Sequence, residues 1–132
     1  LKAGAKLELG DPDASVLEPI ILSNLTPDMN IMVDETFGPV ACVVAVKDAE
    51  EAIELANQSK YALGGVIFGK DQENAKRLGR KLKAGMVGIN KSAGGVSGSP
   101  WVGAGQSGYG FHGSPEGHRQ FTQLRILSET MQ

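Results

Sequence analysis

The stretch "VACVVAVKDAEEAIELANQSKYALGGVIFGKDQENAKRLGRKLKAGMVGIN" (40–90) decides the fold. Residues 40–46 form a continuous apolar run rich in β-branched side chains, the pattern of a strand covered on both faces. Asp48 then stands as an N-cap, and Glu51 three residues later completes a capping-box-like pair. Ile53, Leu55 and Ala56 supply part of that helix's buried stripe. "ALGGVIFG" (62–69) reads as a second buried strand. Asp71 caps a second helix, with Ala75, Leu78 and Leu82 on one face at spacings of three and four. Gly85 is placed to end it in a left-handed conformation, and "MVGIN" (86–90) is a third strand. The order strand, helix, strand, helix, strand predicts an α/β fold: a mainly parallel sheet built from βαβ units flanked by helices. The basic run "KRLGRKLK" (76–83) suits the negative pole of the second helix and a solvated face.

Outward from this centre the pattern changes. Upstream, "LEPIIL" (17–22) is a short apolar strand and "SNLTPDMN" (23–30) a turn. Downstream, residues 91–117 are glycine-rich with no hydrophobic period, a long loop of the kind that is usually functional or disordered. Ser114 and Pro115 then form the N-cap and first position of a short helix. "FTQLRILSE" (121–129) alternates apolar and polar residues, as an edge strand does, and such a strand can pair with another chain.

The bulk properties set limits. A chain of 132 residues suits one domain, and 41% apolar with 21% charged residues is the composition of a globular protein. A net charge of −2 gives no reason to expect nucleic acid or an acidic membrane surface as partner. No apolar run approaches the roughly 18 residues of a membrane span. A single cysteine forms no internal disulfide, which favours a reducing compartment, and a cytoplasmic location is expected. Opening on Leu1 rather than Met points to a processed product or a fragment.

Three apparent motifs dissolve on inspection. GxGxxG occurs twice, at Gly103, Gly105, Gly108 and at Gly108, Gly110, Gly113. A dinucleotide fingerprint needs a strand running directly into the glycines, and here the strand ends near Asn90. Cys42 lies among Ala41, Val43 and Val44 and reads as core rather than nucleophile. Asp34 and Glu35, adjacent on extended backbone, point to opposite sides and share no site. His112 and His118 lack the carboxylate or cysteine spacing of a triad or metal site, so no catalytic residue and no metal ligand is assigned.

Glu35 and Phe37, in "VDETFGPVACVV" (33–44), differ in kind. An ionised carboxylate can accept from two hydroxyls of one ribose, and Phe37 offers a flat apolar wall to a ring. Gly38 permits a close turn and Pro39 fixes the torsion before the strand. The plainer reading, a surface acid and a core phenylalanine, is favoured by pattern alone.

From "GAKL" (4–7) to "FTQLRIL" (121–127) the chain resembles the C-terminal part of the NAD(P)-dependent aldehyde dehydrogenases. The most specific element is "ETFGPV" (35–40) between "TPDM" (26–29) and the "DAEEAIELAN" (48–57) helix. The resemblance implies that Glu35 binds the hydroxyls of the nicotinamide ribose and that Phe37 packs beside the nicotinamide of NAD or NADP. "SPWVGAGQSGYG" (99–110) is similar to the family's SPFGGxKxSGxG loop, which places Trp101 in the aldehyde-entry tunnel. Val102, Gly105 and Phe111 depart from the glycine, lysine and arginine usual there.

The resemblance also implies a division at residue 120. Residues 1–120 would be the end of the catalytic domain, and 121–132 an oligomerisation strand and tail joining copies of the subunit through 121–127. The nucleophilic cysteine, the general-base glutamate, the oxyanion-hole asparagine and the nucleotide-binding half belong to the remaining N-terminal part, and Cys42 matches none of them. The chain alone is therefore expected to be inactive, contributing cofactor positioning and a substrate mouth to a complete enzyme that oxidises an aldehyde to an acid. The competing expectation is a free-standing α/β interaction module that assembles through its terminal strand.

Overall fold

The computed structural model describes residues 1–94 and 97–130. The chain forms two compact units, Leu1–Ser59 and Lys60–Gln132.

In the first unit, β1 (Lys6–Leu9), β2 (Ile20–Ser23) and β3 (Val40–Cys42) make a three-stranded sheet in that order. β1 runs antiparallel to β2, with a register shift between Leu7 and Leu9, and β2 runs parallel to β3. A one-turn helix, α1 (Asn30–Val33), lies between β2 and β3 in the chain. α2 (Ala49–Ala56) comes after β3 and starts as its sequence requires: Asp48 accepts from the Glu51 amide at 2.9 Å, while the Glu51 carboxylate reaches back to the Lys47 amide. Such a cap contributes about 1 kcal/mol. Ile53 is the residue of α2 that is buried; Ile20 and Leu25 join it in this unit's core.

In the second unit, β4 (Gly64–Ile67) and β5 (Met86–Ile89) pair in parallel across α3 (Gln72–Gly79). Asp71 caps α3 by accepting from the Asn74 amide at 3.0 Å. Ala75 and Leu78 are buried on its inner face and Met86 is buried in β5. The loop then closes on itself through β6 (Trp101–Val102) and β7 (Phe111–His112), an antiparallel ribbon. α4 (Pro115–Arg119) comes next, with Ser114 as a buried N-cap accepting from the Gly117 amide.

Four expectations are corrected. The α/β alternation is present, but the mainly parallel sheet is not. Among the described residues, two of the four strand pairs, β1–β2 and β6–β7, are antiparallel, and the strands divide among three sheets. Of the two expected units β3–α2–β4 and β4–α3–β5, the second alone closes within one sheet, because β3 takes β2 as its partner instead of β4. Apolar runs and caps specify local states; the choice of pairing partner is non-local.

Second, the strand expected over 40–46 covers only Val40–Cys42 and lies at a sheet edge. Val43 is 53% exposed and Cys42 is exposed rather than core. Third, α3 ends at Gly79, not at Gly85, which instead precedes β5. The Gly85 amide donates to the Ala62 carbonyl, and a Cβ there would lie 2.2 Å from the Val102 carbonyl oxygen. Fourth, no edge strand forms over residues 121–129; all of them are exposed. An alternating sequence becomes a strand only where a partner supplies its hydrogen bonds.

Candidate functional site

Glu35 and Phe37 sit in the loop between α1 and β3. Two successive three-residue turns shape it: the Gly38 amide donates to the Thr36 carbonyl at 3.0 Å, and the Val40 amide to the Gly38 carbonyl at 2.8 Å. The Ile20 amide anchors the far end on the Pro39 carbonyl at 2.8 Å. Phe37 lies at the centre of the first turn and is thrown outward, 94% exposed. Phe37 is thus no part of the core formed by the described residues. Glu35 is exposed, and among the described residues its carboxylate has no hydrogen-bond or ion-pair partner.

The second candidate feature lies wholly in the other unit. Trp101, 44% exposed, pairs through its backbone with His112. It borders a pocket of about 340 Å³ whose walls include Leu63, Trp101, Tyr109, Phe111, His112 and Phe121. The glycine-rich segment around it is strapped down. The Ser107 hydroxyl accepts from the Ala62 amide at 3.1 Å, the Gln106 amide donates to the Lys60 carbonyl at 2.9 Å, and Tyr61 bridges Gly105. Neither GxGxxG run joins a strand to a helix in the manner of a phosphate cradle: Gly103, Gly105 and Gly108 lie between β6 and β7, and Gly113 comes just after β7.

Glu8 and Asp28 have a pKa held below the ordinary value. The Ser23 hydroxyl, assisted by Lys6, lowers Glu8, and the Thr26 hydroxyl lowers Asp28. Neither borders Glu35 in the sequence, and both serve local structure.

Residues 1–127 match the residue pattern of the aldehyde dehydrogenase family. The chain belongs to that family. Among curated relatives it is 40% identical over 111 residues to a succinate-semialdehyde dehydrogenase [NADP(+)] of Deinococcus radiodurans, covering 84% of this chain and 23% of that protein. It is 38% identical to the betaine aldehyde dehydrogenase of Bacillus subtilis, covering 95% of this chain and 27% of that one. Among solved structures, a salicylaldehyde dehydrogenase from Pseudomonas putida complexed with salicylaldehyde superposes with a TM-score of 0.87 at 34% identity, over 99% of this chain and 28% of that one. A betaine aldehyde dehydrogenase from Staphylococcus aureus in complex with NAD+ does so at 0.81 and 36%, over 91% and 25%. The chain thus spans about a quarter of the length of the relatives it matches.

One residue that carries structure in the second unit is not marked by any sequence motif. Asn90 has φ 54 and bonds Gly69 in both directions: its Oδ1 accepts from the Gly69 amide at 2.8 Å and its Nδ2 donates to the Gly69 carbonyl at 2.9 Å. The available signal was an asparagine at the junction of a strand and a glycine-rich loop, where left-handed backbone is common.

Proposed function

We propose that this chain is the C-terminal segment of an NAD(P)-dependent aldehyde dehydrogenase, and that it positions the nicotinamide and lines the substrate mouth. The observation that carries this reading is the outward-held pair, an unpartnered Glu35 carboxylate and a 94% exposed Phe37, in a chain of this family. The nicotinamide, when bound, supplies the hydride acceptor. Glu35 accepts hydrogen bonds from the two ribose hydroxyls, and Phe37 packs against the ring and limits its tilt. Holding reactants at near-attack geometry is worth about 7–11 kcal/mol of barrier in favourable systems. Trp101, with its neighbouring pocket, borders the approach of the aldehyde.

Catalysis requires the N-terminal part of the enzyme, which supplies the nucleophile; residues 121–127 pair with a second copy of the subunit. Support for both contacts comes from large apolar side chains left open: Val16 at 75%, Phe68 at 76%, Leu124 at 87% and Ile126 at 84%. Surfaces of this kind mark interaction sites. Among the described residues no helix is long and apolar enough to cross a membrane. The enzyme acts in the cytoplasm, without nucleic acid.

The test uses the complete enzyme. Losing one charge-assisted acceptor in Glu35→Gln weakens NAD(P) binding or slows hydride transfer by roughly 10- to 100-fold. Wild-type cofactor affinity and hydride-transfer rate in that variant would remove Glu35 from the site. The 132 residues assayed alone are expected to give no NAD(P)-dependent aldehyde oxidation.

A further inference from the structure

Asn90 stands where the parallel pair β4–β5 ends and the glycine-rich segment begins. Its left-handed backbone turns the chain by a conformation that asparagine tolerates better than most residues. Both ends of its side-chain amide are used on Gly69, the residue two beyond the end of β4. The Asn90 backbone amide adds a third bond to the Ile67 carbonyl at 2.8 Å. Side chain and backbone together pin the turn to the ends of both strands.

Beyond the turn, residues 91–94 fold back over the sheet. A Cβ placed on Gly88 would meet the Lys91 carbonyl oxygen at 2.2 Å and the Ala93 nitrogen at 2.9 Å. Ala93 in turn rests over Gly64 of β4, whose added Cβ would lie 3.2 Å from the Ala93 Cβ. Gly94 then fills the space between Met86 and Trp101. Its added Cβ would be 2.9 Å from the Met86 sulfur and 3.2 Å from Cζ3 of the indole. A continuous set of contacts therefore runs from Asn90 through residues 91–94 to the ring of Trp101.

We infer that Asn90 is a positioning residue for Trp101: its two-way bond with Gly69 holds the turn that lays residues 91–94 against β4–β5 and sets the depth of the indole. The seat stands on geometry alone; its consequence for aldehyde choice rests on the proposed role of Trp101 at the substrate mouth.

Trp101 is the chain's single tryptophan, so its fluorescence reports the seat directly. Asn90→Gly keeps the left-handed backbone and deletes both side-chain bonds. Acrylamide quenching of Trp101 in this variant is expected to rise about twofold with far-UV circular dichroism retained, as local opening becomes easier. Quenching identical to wild type overturns the inference. Should the short variant lose its circular dichroism, kinetics of the complete enzyme decide. Expected is a changed ranking of bulky against small aldehydes by kcat/KM, with the KM for NAD(P) unmoved. Equal losses for every aldehyde, or a shift in the cofactor KM alone, overturn it. Trp101→Ala serves as control. A wild-type aldehyde profile in that variant removes the substrate-mouth role, while the quenching result still judges Asn90.

Discussion

The loop that carries Glu35 and Phe37 and the segment that carries Trp101 solve the problem of placing a side chain in opposite ways. In the first unit the backbone is short and locally turned, and it throws its side chains clear. A Cβ on Gly38 would meet only side chains, that of Leu17 nearest at an ordinary 3.6 Å. In the second unit the segment is long and lies against its sheet, with Gly88 closed in by backbone atoms and Gly94 close to the Met86 and Trp101 side chains. Tight turns over three residues present a group to something that arrives from outside. A strapped segment fixes a group against the protein's own surface and leaves one edge of it open. The contrast matches the proposed roles: a ligand that comes and goes at Glu35 and Phe37, and a permanent wall at Trp101.

Substitutions at the glycines put the contrast under the greatest load. Gly88→Ala drives a methyl into the Lys91 carbonyl and is expected to cost about 1–3 kcal/mol, as overpacking does. Gly38→Ala finds room and is expected to stay within about 0.5 kcal/mol. Denaturant unfolding of both variants measures the difference; equal losses would erase the distinction between the two segments.

Phe37→Ala comes next. A ring that is 94% exposed contributes little to the fold, so the melting temperature is expected to hold. In the complete enzyme the same change removes a ring contact worth about 0.5–1.5 kcal/mol, roughly a 2- to 12-fold loss in kcat/KM for NAD(P). A variant that melts early with normal kinetics would make Phe37 structural.

The smallest effect lies at Glu8. The Ser23 hydroxyl and Lys6 depress its pKa in the folded state. The stability this adds is present above the ordinary carboxylate pKa and disappears as pH falls through the lower folded value. Glu8→Gln should therefore flatten the acid limb of the stability curve slightly. A steeper acid limb in the variant would contradict the assignment.

Much of the second unit was legible because its signals are local. Asp71 announces α3, Ala75 and Leu78 mark its inner face, and Ser114 with Pro115 opens α4. The division into three sheets was not legible, since nothing in "VACVVAV" states that β3 pairs with β2 and not with β4. The same run promised burial that this chain does not supply: Cys42 and Val43 are exposed because no described residue covers that edge. Residues 121–127 show the complementary case: alternation is written into the sequence, and among the described residues no strand pairs with them. Glu35, Phe37 and Trp101 were picked out by residue chemistry and family resemblance. Asn90 was missed because its importance lies in a bond across to Gly69, which no spacing along the chain reveals.

The most direct measurement is a structure of the complete enzyme with NAD(P) bound. Expected is a Glu35 carboxylate oxygen within about 2.6–3.2 Å of each hydroxyl of the nicotinamide ribose, with the Phe37 ring in van der Waals contact with the nicotinamide. A bound cofactor whose ribose and ring lie away from both side chains would contradict that arrangement.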